Sequence, residues 1–350
     1  MPVDSHAVEV ILRNSIIKAL PSRHPVGIIA SAVVGKKEYW ASCGRSSATD
    51  DTTPSIDTLF EIGSVTQLFT SLCLAVLHEK KVLSQEDPVQ NFLPSSSSLT
   101  FRDEPIQLQH LATHTSGLPR VPPGFPRATR NTRENPYSVY TDEEVEKALS
   151  LVKLRVRPGR HYSFSMFGAG LLGQALTSHT DSEYESLLQS CISDPLDLKN
   201  TRFTLSPSQH KKLALGHSSR GKPVPEWQFA SLAGAGGLHS TAEDLLIFLN
   251  AHTGRIRTRQ SDLSHAMSHT KKMRAQITRR RQIGLGWHIE APHKGIPEIL
   301  WHNGGTGGHR CFVAFVEATK TAVVILANSN QSLDRLGFQL IRTFHTIALP

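Results

Sequence analysis

The sequence predicts an α/β protein of the α+β type, in which strands near both ends of the chain form one antiparallel sheet flanked by helices. Two short β-rich runs at 26–34 and 38–44 flank a glycine turn, which is typical of a hairpin. Further β-rich runs return only after residue 284, whereas the segment between is helical and loop-rich. We therefore expect a sheet domain of residues 1–80 and 265–350, a large, mostly helical insertion of residues 81–264, and a cleft between them.

The first 20 residues predict an amphipathic helix rather than a signal peptide. Asp4, His6 and Glu9 lie where a signal peptide would need an apolar core. The predicted inner positions of the helix are Val8, Ile11, Leu12, Ile16 and Leu20. No apolar run reaches the ~20 residues that a membrane helix needs. We therefore expect a cytoplasmic protein without a membrane span.

The basic charge is confined to one stretch. The formal net charge is +8, and residues 255–281 contain nine Lys or Arg and a single acid, Asp262. The rest of the chain is therefore close to neutral. Because no aromatic residues are interleaved with these cations, we expect an exposed surface segment and no nucleic-acid partner. Contact with an anionic ligand or a membrane surface remains the alternative for this stretch.

The segment EIGSVTQLFTSLCLAVL at 61–77 predicts a tight turn that leads into a buried helix, with Ser64 at the turn. The amides at a helix N-terminus can stabilise a developing oxyanion, so this is a favourable place for a nucleophile. Serine needs an adjacent base, and the residue three positions on shares its helix face. That residue is Gln67, whose carboxamide cannot accept a proton. Residues 46–77 contain no Lys, Arg or His that could replace it.

Six segments carry a family resemblance. In order they are LFEIGSVTQLFT, HLATHTSGLP, YSFSMFGAGLLG, SLAGAGGLHSTAEDL, GLGWH and WHNGGTGGHRCFVAF. Together they resemble the signature segments of class C β-lactamase-like serine hydrolases, which include penicillin-binding-protein-like peptidases, esterases and transacylases. The resemblance implies a β-lactamase/transpeptidase-like fold for residues from about 25 to 330.

Two of the three catalytic motifs that the resemblance implies are altered. The S-x-x-K motif falls on residues 64–67, where Ser64 is kept and Gln67 replaces the lysine. The Y-x-N motif falls on residues 164–166, where Phe164 and Met166 replace the tyrosine and the asparagine. Losing a general base typically costs roughly 10²–10⁴ in rate. We therefore expect β-lactam or peptide hydrolysis to be weak or absent, with Phe164 and Met166 as walls of the pocket.

The third motif, H-x-G, is kept as His302, Asn303 and Gly304. The resemblance implies that this strand faces the serine and that the amides of Ser64 and Gly305 form the oxyanion hole. His302 is then the best remaining base for Ser64, because imidazole titrates near neutral pH.

Three functions remain open from the sequence. The first is a diverged hydrolase or acyltransferase that acts on a small ester or amide through Ser64 and His302. The second is a repurposed cyclase or lyase in which Ser64 and Gln67 orient the substrate by hydrogen bonds. The third is a non-catalytic module that binds a small molecule in the same cleft. In each case we expect no cofactor and no metal, since the four cysteines are scattered and form no C-x-x-C pair.

Overall fold

The computed structural model describes residues 3–20, 26–47, 51–93, 99–293 and 295–349. The strands of this part are β1 (Gly27–Val34), β2 (Lys37–Gly44), β3 (Phe60–Glu61), β4 (Thr100–Phe101), β5 (Glu104–Pro105), β6 (His239–Ser240), β7 (Ala275–Gln276), β8 (Arg281–Ile283), β9 (His288–Glu290), β10 (Ile299–Gly305), β11 (Arg310–Val316) and β12 (Thr321–Ala327). Its α-helices are α1 (Ser5–Ala19), α2 (Thr66–Glu79), α3 (Leu108–Ala112), α4 (Phe125–Ala128), α5 (Asp142–Ser150), α6 (Met166–Thr180), α7 (Tyr184–Leu188), α8 (Asp194–Leu196), α9 (Pro207–His210), α10 (Ala242–His252), α11 (Ser261–Thr270) and α12 (Asp334–Ile347).

Eight strands form one antiparallel sheet in the order β2-β1-β12-β11-β10-β9-β8-β7. The β1–β2 pairing confirms the predicted hairpin, and the β1–β12 pairing joins strands from the two ends of the chain. β1 and β12 are buried along their whole length because helices cover both faces of the sheet. The predicted antiparallel sheet flanked by helices is therefore confirmed. The division of the chain at residues 80 and 264 stays a prediction.

The N-terminal residues form the predicted amphipathic helix. Asp4 caps α1 by accepting the amides of His6 and Ala7. Val8, Leu12 and Ile16 are fully buried against β1 and α12, while Ile11 and Leu20 are partly buried beside them. In the ranges that the structure describes, no helix is long and apolar enough to cross a membrane.

Ser64 lies in a 3₁₀ turn, Gly63–Val65, which leads directly into the buried helix α2. Strand β10 passes so close to this turn that only glycine fits. A Cβ at Gly304 would overlap the Ile62 carbonyl oxygen, and one at Gly63 would overlap the Gly305 amide. Gly63 also has a φ of +52°, which other residues rarely adopt. Backbone therefore packs on backbone, and the Gly305 amide is brought beside the serine turn.

A buried charge pair holds the same turn from its other side. Glu61 accepts hydrogen bonds from the Trp227 amide (2.6 Å), the Thr306 hydroxyl (2.8 Å) and His309 Nδ1 (2.6 Å). His309 Nε2 lies 3.0 Å from the Ala214 carbonyl oxygen, so both ring nitrogens face acceptors and both donate when the ring is charged. Burial raises the pKa of Glu61, but the hydrogen bonds and the His309 charge outweigh it and leave this pKa below its usual value.

We expect Gly304→Ala to destabilise the protein by at least about 3 kcal/mol, because its methyl group meets fixed backbone and forces β10 away from the turn. Gly254→Ala is the matched control: no atom lies within 4 Å of its Cβ, so it bears only the cost of a φ of +68°, about 1–2 kcal/mol. Urea unfolding measures both. Equal losses in the two variants would contradict the close approach of β10.

We expect Glu61→Gln to lower the free energy of unfolding by about 3–5 kcal/mol at neutral pH, because it removes the carboxylate from a buried pair with His309. The Glu61 pKa is depressed in the folded state, so its stabilisation is present above the unfolded pKa of about 4.5 and is lost as the pH falls below it. The difference between wild type and variant should therefore shrink in acid. Exposed Glu86→Gln serves as the control, and a difference that does not depend on pH would argue against the pair.

Candidate active site

The cleft beside Ser64 has a volume of about 410 Å³. Six of the predicted site residues line it, namely Ser64, Phe164, Met166, Asn303, Gly304 and Gly305. The two other predicted residues, Gln67 and His302, are almost fully buried, with 2% and 1% of their surface exposed. Gln67 packs against Met166, and His302 packs against His288, which itself lines the cleft.

A thioether lies between the serine and the glutamine. The Ser64 hydroxyl is 3.4 Å from the Met166 sulfur, and Gln67 Nε2 is 3.3 Å from the same atom. Gln67 Nε2 also donates to the Ala235 carbonyl oxygen at 3.0 Å, whereas its Oε1 is buried without a hydrogen-bond partner. A thioether is a weak acceptor and cannot take a proton from a serine hydroxyl at neutral pH. Within the described residues, no lysine amine or tyrosine hydroxyl is hydrogen-bonded to Ser64.

The segment that carries Phe164 and Met166 is held by capping interactions at the start of α6. Ser165 is the N-cap: its hydroxyl accepts the Gly168 amide (2.9 Å) and donates to the Pro119 carbonyl oxygen (2.6 Å). The Ser165 amide donates to His114 Nδ1 at 3.2 Å. These bonds fix the segment, so the Met166 sulfur and the Phe164 ring have defined positions in the cleft wall.

Arg310 lies against Gly305, whose amide is one of the two predicted oxyanion donors. It pairs with Gly305 across β10 and β11, and a Cβ at Gly305 would overlap its guanidinium. The guanidinium donates to the carbonyl oxygens of Thr306 and His309 at 3.0 and 3.1 Å. A fixed cation therefore lies beside the Gly305 amide, where a negative oxygen would develop during acyl transfer.

His302 belongs to a buried group of neutral histidines. Its Nδ1 donates to the Asn303 carbonyl oxygen at 2.7 Å, which leaves Nε2 as a buried acceptor without a partner. Burial lowers the pKa of His302 to about 4 and that of His114 to about 3, and it holds the pKa of His288 well below its usual value. The His288 and His302 rings lie 5.2 Å apart. At neutral pH these imidazoles are therefore neutral, and each keeps one unprotonated acceptor nitrogen beside one N–H donor.

Asn303 points to the opposite side of β10 from His302. Its Nδ2 lies 2.9 Å from both carboxylate oxygens of Asp334, the first residue of α12. Both residues line the cleft, so this contact ties the motif strand to the C-terminal helix and leaves one carboxylate at this end of the site.

Sequence reasoning missed several residues that line the cleft. They are Arg120, Tyr137, Trp227, His288, Arg310 and Asp334. His288 could have been found, because it is the histidine of the GLGWH segment that carried part of the family resemblance. The others come from loops and from the first residues of strands or helices, where no periodic pattern marks which side chains will converge. One of them, Arg120, lies 5.0 Å above the Phe164 ring.

The described part of the chain contains no group of three or more His, Cys, Asp or Glu arranged to hold a metal ion.

Comparison with known proteins gives the family. The β-lactamase family pattern matches residues 13–344. The D-alanyl-D-alanine-carboxypeptidase/endopeptidase AmpH of Escherichia coli (strain K12) is 28% identical over 334 residues, covering 90% of this chain and 84% of that protein. A β-lactamase of Pseudomonas fluorescens is 26% identical over 350 residues, covering 91% of this chain and 92% of that protein.

Solved structures share the fold. The β-lactamase/D-alanine carboxypeptidase of Yersinia pestis, solved with citrate, superposes with a TM-score of 0.83 at 24% identity over 98% of both chains. A class C β-lactamase of Rhodobacter sphaeroides gives a TM-score of 0.81 at 23% identity, over 97% of this chain and 99% of that one. The architecture is thus β-lactamase/transpeptidase-like, and the chain belongs to the β-lactamase family.

Proposed function

We propose that this protein is a diverged serine hydrolase or acyltransferase that acts on a small ester or amide through Ser64. The observation that carries the proposal is the glycine-only contact between β10 and the serine turn, which brings the Gly305 amide and the serine together at a cleft of about 410 Å³. In acyl transfer, such a contact would hold two amides where both can donate hydrogen bonds to one oxyanion. Relatives named as carboxypeptidases and β-lactamases support the same reaction class.

In the proposed reaction, the Ser64 oxygen attacks the acyl carbonyl carbon, and the carbonyl oxygen takes up the negative charge. The amides of Ser64 and Gly305 hold that oxyanion, with the Arg310 guanidinium beside them. The hydroxyl proton passes to the imidazole pair of His288 and His302, because His288 lines the cleft and His302 keeps an unpartnered Nε2 behind it. The leaving group departs as an anion with its bonding electrons, and the imidazole pair gives up the serine proton to solvent. Water or a second alcohol then attacks the acyl carbonyl carbon and loses its proton to the imidazole pair. The bond to the Ser64 oxygen breaks, and that proton returns to Ser64.

The leaving group decides which substrates can react. Phe164 and Met166 cannot donate a proton, so these two motif positions offer no acid to a poor leaving group such as an amine. Esters whose alcohol leaves as a stable anion do not need that proton. We therefore propose ester cleavage or ester-forming transfer as the main activity, with amide and β-lactam cleavage weak or absent.

A non-catalytic binding role is the second candidate, and one observation favours it. Two buried acceptors in or behind the cleft wall, Gln67 Oε1 and His302 Nε2, have no hydrogen-bond partner among the described residues. An unsatisfied buried acceptor costs about 1–3 kcal/mol, which a ligand with matching donors could recover. A small molecule could then bind beside Ser64 without reacting. The interdomain position of the cleft and a cytoplasmic location stay predictions under either function.

We expect the protein to hydrolyse p-nitrophenyl acetate and to leave p-nitroacetanilide intact, because only the ester has a leaving group that needs no proton. Ser64→Ala should lower ester turnover to the background rate, whereas the exposed Ser264→Ala should not change it. Absorbance of released p-nitrophenolate measures the rate. Turnover that persists in Ser64→Ala would exclude covalent catalysis, and no turnover with no labelling of Ser64 by a fluorophosphonate would favour the binding role.

We expect His302→Gln and His288→Gln each to reduce ester kcat/KM by roughly 10²–10⁴-fold if the imidazole pair takes the proton. The wild-type rate should stay constant from neutral pH down to about 4, because the pKa of His302 is lowered to that value. An inflection near pH 6.5 instead would show an ordinary, exposed histidine as the base.

The same variant tests the burial of His302 through stability. The unfolded chain takes up a proton near pH 6.5, while the folded state does so only near pH 4, so stability is lost as the pH falls between these values. His302→Gln should lack this component of the pH dependence in urea unfolding, and exposed His6→Gln should retain it. An identical acid dependence in both variants would contradict the burial.

A further inference from the structure

A second cavity, of about 500 Å³, opens between the β8–β9 edge of the sheet and helix α12. It is lined by Arg281, Glu290, Arg335, Phe338, Gln339 and Arg342. None of these residues lines the Ser64 cleft, so this arginine pocket is a separate place on the molecule. Its volume falls in the range of small-molecule sites.

The arginine pocket has an excess of positive charge. Three guanidiniums face it, and Glu290 is its only lining carboxylate. One carboxylate oxygen of Glu290 already accepts hydrogen bonds from Arg281 Nε at 2.5 Å and from Trp301 Nε1 at 3.2 Å. The Glu290 charge is therefore already paired with Arg281. Arg335 and Arg342 are exposed and form no ion pair with any residue that the structure describes. The guanidiniums of Arg335 and Arg342 therefore remain available to a ligand.

Two of the guanidiniums are held in place by aromatic rings. Arg281 lies 4.8 Å above the Trp301 ring, and Arg342 lies 5.3 Å from the Phe338 ring. Arg335 and Arg342 are seven residues apart on α12, which places them about 10 Å apart along one helix face. Phe338 and Gln339 lie between them. Ordering of these side chains before a ligand arrives reduces the entropy lost on binding.

We propose that the arginine pocket binds a phosphate monoester whose organic group packs against Phe338. A phosphate monoester carries up to two negative charges at neutral pH, which matches the pocket's excess of two cations better than a single carboxylate does. Guanidinium forks match phosphate oxygens in bidentate geometry. The volume exceeds what a bare phosphate needs, and the half-buried Phe338 ring offers a surface to the attached group.

Arg281 also links this site to the basic stretch 255–281, of which it is the last residue. The two preceding arginines, Arg279 and Arg280, are exposed at the same hairpin and raise the positive potential near the pocket. The end of the basic stretch would therefore help to bind the phosphate, which its composition alone does not reveal.

Isothermal titration with phenyl phosphate tests the proposal. We expect saturable binding that weakens at least about tenfold, a loss of about 1.4 kcal/mol, in the double variant Arg335→Gln/Arg342→Gln, because this variant removes two charged hydrogen-bond donors. Exposed Arg220→Gln, which lies outside the pocket, should bind as the wild type does. Affinity should rise with pH through the second ionisation of the phosphate near about 6. Both arginines are exposed on α12, and thermal unfolding checks that the variants fold.

Two further binding measurements distinguish a free phosphate compound from a lipid headgroup as the ligand. Inorganic phosphate should bind more weakly than phenyl phosphate, because it lacks the ring that contacts Phe338. Phosphatidylcholine vesicles with and without phosphatidic acid test a lipid headgroup, and binding that needs both phosphatidic acid and the two arginines would assign the site to a membrane lipid. No saturable binding in any arm, or equal binding by the wild type and the double variant, would overturn the proposal.

Discussion

The backbone contact between β10 and the Gly63–Val65 turn is the constraint on which the rest of the site depends. At this point the sheet and the turn before the central helix α2 approach so closely that Gly63 and Gly304 leave no space for a Cβ. The contact brings together a serine at residue 64 and an amide at residue 305. A site of this kind tolerates large changes in its other side chains, because the positions of the nucleophile and the oxyanion donor are set by backbone alone.

Buried ionisable side chains lie on both sides of this contact, and they are stabilised in different ways. Below the turn, Glu61 and His309 are paired, and every polar atom of the pair has a partner, so a charged pair can remain buried. Beside the cleft, burial lowers the pKa of His114, His288 and His302, no carboxylate in the described part of the chain offsets it, and the three rings stay neutral at neutral pH. The charged pair stabilises the geometry of the site, whereas the neutral histidines leave acceptor nitrogens available for chemistry or for a ligand.

The Met166 sulfur connects the two altered motifs. It contacts both the Ser64 hydroxyl and the Gln67 amide, so a soft, weakly polar atom fills the space between them. A lysine amine placed there would face this thioether instead of a strong hydrogen-bond acceptor. The two replacements therefore fit each other physically, and neither restores a proton acceptor beside the serine.

Sequence alone determined the features that arise from local pattern. The periodicity of α1, the glycine turn between β1 and β2, the turn before α2 and the apolar strands near the C-terminus could all be predicted, because backbone hydrogen bonding and side-chain alternation repeat over short distances. The motif residues Ser64, Phe164, Met166 and Gly305 could be placed on one cleft only through their resemblance to a known family. Whether they act as proposed remains a prediction.

Tertiary structure decided what depends on residues far apart in the chain. The strand order of the sheet set the burial of His302, the pairing of Arg310 with Gly305 and the contact of Asn303 with Asp334. Packing of α12 against β11 and β12 brought Arg335 and Arg342 to the same pocket as Arg281, from which the sequence separates them by more than fifty residues. A period of two or of 3.6 residues records which face of an element is buried, but not which other element covers it, and for that reason these sites became visible only in the folded chain.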